Sequence, residues 1–320
     1  MNQDQVSLGR IQTLRRDLIA GLTVATVAVP QGIAYALIAG VDPIYGLFTA
    51  TVVTILGSIF GSSSHLINGP TNAISIVVLG ACAGLDMDPT LAVFLLAMLV
   101  GVTQILIALL KLGDLTRYVS ESVILGFMAG AGVLIVLSQI PGLLGTSMEG
   151  DRHGHFLYRL WQTLSNPDLS INARSLIIGA GTVLLIIGFR RLSHRLGINL
   201  PDLLLALLLM AVLVSWLEWR DPKNLIVVPS VLPTFQLPKW EHLNEVPRLA
   251  SSALAISVLG LLEALAIAKS ISARTREPLD YNRQCLAEGL ANLGGGLFQC
   301  MPGSGSLTRS AINYQAGAVT

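Results

Sequence analysis

Apolar segments long enough to cross a lipid bilayer recur along almost the whole chain. A transmembrane helix needs about 20 predominantly apolar residues. Hydrophobic residues make up 52% of the 320-residue sequence and charged residues only 12%, whereas soluble domains carry about 25% charged residues. One soluble core could not bury so much apolar surface, so we predict an all-α polytopic membrane protein. The predicted spans, about ten in all, are residues 18–39, 45–61, 70–84, 90–111, 119–140, 174–190, 201–218, 251–269, 284–298 and 304–318.

The charged residues favour a cytoplasmic N-terminus. Lys and Arg collect in the segments that would then be cytoplasmic, whereas the short outer loops near Asp42 and at residues 86–88 contain none. The 20 Lys and Arg residues nearly balance the 19 Asp and Glu residues, which argues against a nucleic-acid partner. The three cysteines lack metal-ligand spacing, so no metal, cofactor or disulfide framework is expected. We predict a multi-pass protein of a bacterial inner (plasma) membrane.

Two predicted spans are interrupted by glycine and proline. The third is entered through residues 61–70 and the tenth through residues 294–305. Each continues into a short helix that opens with hydroxyl or amide side chains: Thr71 and Asn72 in the third, and Ser304, Ser306 and Thr308 in the tenth. Paired interruptions are typical of transporter substrate sites, because a helix that begins inside the membrane presents free N–H groups and a positive dipole end. Entering from opposite sides, the two helix starts can meet and form an anion site, although simple kinks or outer loops are the alternative.

Two ionisable side chains lie inside predicted spans. Arg309 follows the second interruption, and an Arg at the bilayer centre must face a cavity or a partner. It can therefore bind an anion or form a structural ion pair. Glu263 lies in the second half of the eighth span. A carboxylate in apolar surroundings can hold a proton, so it can carry a coupling proton or pair permanently with a basic residue such as Arg309.

Polar residues of the first span offer a further wall for the site. Gln31 and Tyr35 follow Pro30 and share one helical face. They can line a pocket or simply pack helix against helix.

Three other features have structural interpretations. Asp202 is expected to start a helix, and Glu288 is interpreted similarly at the start of the ninth span. Gly126 and Gly130 form a small-xxx-small pair that predicts close helix packing.

Together these residues carry a recognisable pattern. The chain resembles the SulP family of anion transporters, the sulfate permease group, over nearly all of its length. Phe48 stands in the last place of a stretch that is similar to the family's Pro-x-Tyr-Gly-Leu-Tyr signature. The matching stretches are residues 29–36, 42–48, 68–71, 262–264, 268–270 and 305–310.

The resemblance implies a fold of two inverted seven-span repeats, divided into core and gate domains. It implies a substrate site between the third and tenth half-helices, walled by the first and eighth spans. Carried over position by position, with Asn72 added from the third helix start, the predicted substrate-binding residues are Gln31, Tyr35, Thr71, Asn72, Ser306, Thr308 and Arg309. Glu263 matches the carboxylate associated with cation coupling in microbial and plant relatives. The implied function is proton- or sodium-coupled transport of a small inorganic anion, sulfate or bicarbonate, by elevator-type alternating access.

The resemblance also gives domain boundaries. We expect a cytoplasmic N-terminus at 1–17, first-repeat core spans and the start of the gate at 18–140, and a long outer loop with the remaining gate spans at 141–218. An extracytoplasmic connector follows at 219–250, with a short surface helix at 240–250, and the second-repeat core spans occupy 251–320. The family has about four more spans and a cytoplasmic STAS domain, so we expect a fragment. Relatives suggest a homodimer.

Other functions remain open. An uncoupled anion channel or an exchanger on the same fold is the main alternative, and Glu263 favours coupled carriage because a pure channel needs no protonatable partner. An intramembrane serine hydrolase with Ser304 as nucleophile would need a base within reach, and all five histidines fall in loops or at span ends. We therefore expect no enzyme activity.

Overall fold

The computed structural model describes residues 10–82, 85, 87–113, 121–146, 156–166, 170–196, 202–219, 231–238 and 244–320. Eleven helices and two short strands lie in these ranges. The helices are α1 (Arg10–Ala39), α2 (Pro43–Phe60), α3 (Asn72–Cys82), α4 (Pro89–Leu109), α5 (Glu121–Leu144), α6 (Phe156–Ser165), α7 (Ala173–Leu196), α8 (Asp202–Trp216), α9 (Val246–Thr275), α10 (Tyr281–Leu297) and α11 (Leu307–Gln315); the strands are β1 (Asn68–Gly69) and β2 (Ser304–Gly305).

Each predicted span coincides with one helix. Of the helices in the described ranges, five are long and apolar enough to cross a membrane: α1, α2, α4, α7 and α9. Two details differ from the prediction. The ten-residue helix α6 lies in a loop for which only plain connection was expected. Helix α9 begins at Val246, so residues 246–250 belong to a 30-residue helix and not to a separate surface helix; residues 240–243 lie outside the described ranges.

Local signals explain where two of the helices begin. Asp42 precedes α2 and its Oδ1 accepts a hydrogen bond from the Ile44 N–H at 3.0 Å. Asp88 precedes α4 and caps it in the same way, accepting from the Thr90 N–H at 2.7 Å. Each Asp is followed by proline at the first helical position, where the missing N–H costs nothing.

Helices α3 and α11 are too short to cross a membrane. They contain 11 and 9 residues, or about 16 and 14 Å at 1.5 Å per residue, roughly half of a 30 Å hydrocarbon core. The prediction of two discontinuous spans is therefore confirmed.

The chain forms two compact units. The first contains residues 1–126 and 228–320 and the second contains residues 127–227. In the first, α10 packs along α4 and α2, α1 packs along α2, and α9 packs against α3 and α4. In the second, α7 packs along α8, and Arg190 Nε lies 3.1 Å from Oδ2 of Asp202, the first residue of α8. Asp202 therefore stands at a helix start, as predicted.

Glycines allow the closest helix crossings in the first unit. A Cβ on Gly289 of α10 would lie 2.7 Å from the Ile105 N and 2.9 Å from the Gly101 O of α4. In the described part of the chain, by contrast, Gly126 and Gly130 have no atom within 4 Å of their Cβ positions. The close packing predicted at that pair is therefore not seen there.

Candidate functional site

The two half-helices begin beside each other, joined by a pair of short strands. Strands β1 and β2 run antiparallel, with Asn68 opposite Gly305 and Gly69 opposite Ser304. The Ser306 N–H extends the pairing by donating to the Ile67 O at 2.9 Å. Non-helical backbone inside a membrane must satisfy its own polar groups, and this pairing does so. The meeting of the two helix starts was predicted, whereas the strand pairing was not.

Glycine is required where the strands meet because other groups come very close. Gly69 has φ +145°, and a Cβ there would lie 3.1 Å from Arg309 Nη2. A Cβ on Gly303 would lie 2.8 Å from the Gly69 O. The Gly/Pro interruptions therefore allow two backbones and a guanidinium to share a space that side chains would fill.

Arg309 lies in the first turn of α11 and is almost completely buried, with 1% of its surface exposed. Its Nη2 donates to the Pro70 O at 2.9 Å, while Nε and Nη1 have no hydrogen-bond partner in the described residues. In the same residues, Arg309 and Glu263 do not approach within 4.0 Å and so do not form an ion pair. The guanidinium thus presents two unpaired donors at the start of a helix, where an anion is favoured.

Glu263 of α9 faces the start of α3. Its Oε2 accepts a hydrogen bond from Thr71 Oγ1 at 3.3 Å. Both Glu263 and Tyr35 lie close enough to Arg309 to interact with it electrostatically. The site therefore holds a buried cation and a carboxylate that are near each other but not in direct contact.

The other predicted site residues differ in their placement. Gln31 and Asn72 each have a buried side-chain oxygen without a hydrogen-bond partner in the described residues. Ser306 caps α11 and its Oγ accepts from the Arg309 N–H at 3.5 Å. Thr308 and the preceding Leu307 are exposed, although Ser306 before them and Arg309 after them are buried. The structure thus brings Thr71 to Glu263 and Ser306 to Arg309 by hydrogen bonds, whereas the Thr308 side chain is exposed.

Several buried polar residues beside the strands were missed by the sequence interpretation. Glu288 is completely buried within α10 and accepts a hydrogen bond from Gln284 Nε2 at 3.1 Å, so its interpretation as a helix-start residue is wrong. Gln104 and Asn292 are also completely buried and bond to each other at 2.9 Å. The spacing of Gln284, Glu288 and Asn292, every fourth residue along one helix face, was the signal that could have revealed them.

Ser304 does not have the geometry of a nucleophile. Its side chain is completely buried and its Oγ donates to the Gly260 O at 2.7 Å. That bond fixes β2 against α9 and occupies the hydroxyl proton.

Known proteins resemble this chain over nearly all of its length. Residues 14–320 match the model of the sulfate permease family. "Putative sulfate transporter YvdB" of Bacillus subtilis (strain 168) is 32% identical over 97% of this chain and 57% of that protein. "Sulfate transporter 4.1, chloroplastic" of Arabidopsis thaliana is 34% identical over 95% of this chain and 45% of that protein. The chain thus spans about half the length of these relatives.

Solved structures agree with the fold. The transmembrane domain of the cyanobacterial bicarbonate transporter BicA has a TM-score of 0.83 and 27% identity, covering 98% of this chain and 80% of that one. The murine anion transporter Slc26a9 in its inward-facing state has the same TM-score at 20% identity, covering 98% of this chain and 55% of that one. The predicted class, an all-α transporter fold, is confirmed, and the match is to transporters and not to enzymes. With its paired half-helices and its match from residue 14 to residue 320, the chain belongs to the sulfate permease (SulP) family.

Proposed function

We propose that the protein transports a small inorganic anion across a membrane and binds it where α3 and α11 begin. The observation that carries this proposal is the buried Arg309 guanidinium, whose Nε and Nη1 have no hydrogen-bond partner in the described residues. Burying an unpaired charge is unfavourable by several kcal/mol. An oxyanion supplies acceptors for both nitrogens, and the two helix starts add the positive ends of their dipoles.

The proposed substrate is sulfate or bicarbonate. Two relatives are named as sulfate transporters and one structural neighbour as a bicarbonate transporter. Both anions are small and carry several oxygens that can accept from a guanidinium. In this proposal Gln31, Tyr35, Thr71, Asn72 and Ser306 surround the anion with Arg309. Thr308, whose side chain is exposed, lies at the edge of the site.

Glu263 is the proposed coupling residue. It lies near Arg309 without an ion pair to it, and a hydroxyl of the same site, that of Thr71, donates to it. A carboxylate in this position can bind a proton or a sodium ion and lose it again as the anion moves. Uphill anion uptake would then depend on the gradient of that cation. An uncoupled channel or an exchanger on the same fold is the second candidate, because its anion site would have the same geometry.

The β1–β2 pairing suggests how the site moves. The two half-helices are joined by backbone hydrogen bonds, so they would move as one body that carries the anion. We therefore propose elevator-type alternating access, with core spans moving past gate spans along the domain boundaries given above. We also propose a homodimer in a bacterial inner membrane with the N-terminus in the cytoplasm.

Uptake by proteoliposomes containing the full gene product tests the proposal. Labelled sulfate and labelled bicarbonate are supplied with and without an inward proton or sodium gradient. We expect saturable, gradient-dependent uptake of one anion. Arg309→Ala should weaken that anion's binding by at least about 10- to 100-fold, because even one charge-assisted hydrogen bond contributes about 1.5–3 kcal/mol.

Arg248→Ala is the matched control. Arg248 is a surface arginine that pairs with Glu245, and 58% of its side chain is exposed. Its replacement should leave binding unchanged. Equal anion affinity in Arg309→Ala and the wild type would overturn the assignment of the site. Saturable uptake at the same rate with and without either cation gradient would favour the exchanger or channel.

A further inference from the structure

We infer that Asn292 is a positioning residue for the anion site: its side-chain amide holds the backbone of Gly303, and so fixes β2 and the start of α11 that carries Arg309. This inference rests on the proposed function only in that Arg309 binds the anion. Asn292 lies on α10 and is completely buried. In the described part of the chain, it forms no hydrogen bond with a predicted substrate-binding residue.

The amide of Asn292 takes the place of a neighbouring strand. Its Oδ1 accepts from the Gly303 N–H at 2.8 Å, and its Nδ2 donates to the Gly303 O at 3.0 Å. One residue of a β-strand makes the same exchange of N–H and C=O with the residue opposite it. Gly303 is thereby satisfied on both backbone groups by a single side chain.

The segment that Asn292 holds is fixed on other sides as well. Ser304 and Gly305 pair with β1, Ser304 Oγ bonds to the Gly260 O of α9, and the Met301 N–H donates to Thr49 Oγ1 of α2 at 2.9 Å. Gly303 lies between these anchors, and a Cβ there would lie 2.8 Å from the Gly69 O. A shift at Gly303 is therefore transmitted to β1 and β2.

The Arg309 guanidinium depends on both of those strands. It packs over Gly69 of β1 and bonds to the Pro70 O, while its own backbone follows β2 by four residues. Displacing β2 from β1 would move the guanidinium relative to the start of α3. This route connects Asn292 to the anion without direct contact.

The orientation of the amide cannot be reversed. A backbone N–H only donates and a carbonyl only accepts, so the bonds to Gly303 assign the Asn292 oxygen and nitrogen. Nδ2 also lies 2.9 Å from Gln104 Oε1 and 3.1 Å from the Glu288 O, so its two hydrogens are shared among three acceptors. An aspartate here would place a carboxylate oxygen against the Gly303 and Glu288 carbonyls, which can only accept, although its size is nearly the same as that of asparagine.

Asn292→Asp is therefore the test variant, made in the full gene product. The dissociation constants of sulfate and bicarbonate are measured by the thermal stabilisation that each anion produces in detergent. We expect the Kd of the transported anion to rise at least tenfold. Ser257→Ala is the control: Ser257 is completely buried on α9, and its side chain bonds to the Val100 O and the Ala253 O and not to β2. It should lower the melting temperature but keep the Kd within twofold.

Each outcome decides the inference. The inference is overturned if the Kd of the anion for Asn292→Asp is within threefold of the wild-type Kd. It is also overturned if Ser257→Ala raises the Kd as much as Asn292→Asp does. If Asn292→Asp does not fold, Asn292→Ser replaces it, since the shorter serine side chain removes both Gly303 bonds without introducing a charge, and the same limits apply. If the wild type binds neither anion, the proposed function fails instead, so the two failures are distinguishable.

Discussion

Replacing Gly303 by alanine is a direct test of how tightly the two strands approach each other. The new Cβ would lie 2.8 Å from the Gly69 O and 3.0 Å from the Gly69 C, whereas ordinary contact begins at 3.4 Å. The strands would have to separate by about 0.6 Å, because both atoms belong to the backbone and cannot rotate away. Separation by that amount would stretch the β1–β2 hydrogen bonds beyond their usual 2.7–3.2 Å.

The free energy of unfolding should fall by about 2–4 kcal/mol. Overpacking of this kind costs about 1–3 kcal/mol, and each weakened hydrogen bond adds about 0.5–1.5 kcal/mol. A loss of this size corresponds to a melting temperature lower by roughly 3–6 °C for a chain of this length. Anion affinity should fall with it, because Arg309 also packs against Gly69 of β1.

Thermal unfolding in detergent, with and without saturating anion, measures both effects. Gly80→Ala is the matched control, since Gly80 lies in α3 and has no atom within 4 Å of its Cβ position in the described residues. It should melt within about 2 °C of the wild type, or slightly higher because alanine favours a helix by about 1 kcal/mol. If Gly303→Ala melts and binds like Gly80→Ala, the close approach of the strands is refuted.

Three further substitutions separate the roles of the site residues. Glu263→Gln should abolish gradient-driven uptake while partly preserving anion exchange, because the amide keeps the bond to Thr71 but cannot take up a proton; unchanged gradient-driven uptake in proteoliposomes would remove Glu263 from coupling. Thr308→Val should change the KM for the anion less than twofold, since its side chain is exposed. Thr71→Val, which loses the hydroxyl bonded to Glu263, should raise that KM several-fold, and the opposite order would place the anion on the Thr308 side.

Local signals made the broken spans predictable from sequence. Gly and Pro interrupt an apolar pattern within a few residues, so the ends of the half-helices could be located without knowing their neighbours. Arg309 and Glu263 could likewise be singled out, because an ionisable residue within an apolar run is unusual wherever the helix packs.

Features that depend on distant segments could not be predicted. The register of Asn68 with Gly305 joins parts of the chain whose sequences contain no strand pattern of useful length. Glu288 was interpreted as a helix-start residue because the span was predicted to begin at residue 284. Helix α10 begins at Tyr281, so Glu288 lies two turns inside it, where its side chain is buried. Thr308 follows the pattern of its neighbours in sequence, but one residue along a helix is a rotation of about 100°, which takes it away from Arg309.

The strand pair also has a consequence for biosynthesis. Pro70 and Arg309, which bond across the pair, are 239 residues apart in the chain. At about 5–20 residues per second, a ribosome needs roughly 10–50 s to complete the second segment after the first. During that interval β1 and the short helix α3 have no β2 to pair with, and their free backbone groups cannot be left facing lipid. The first half-helix must therefore be sheltered at the insertion machinery, or remain outside the hydrocarbon, until the second arrives.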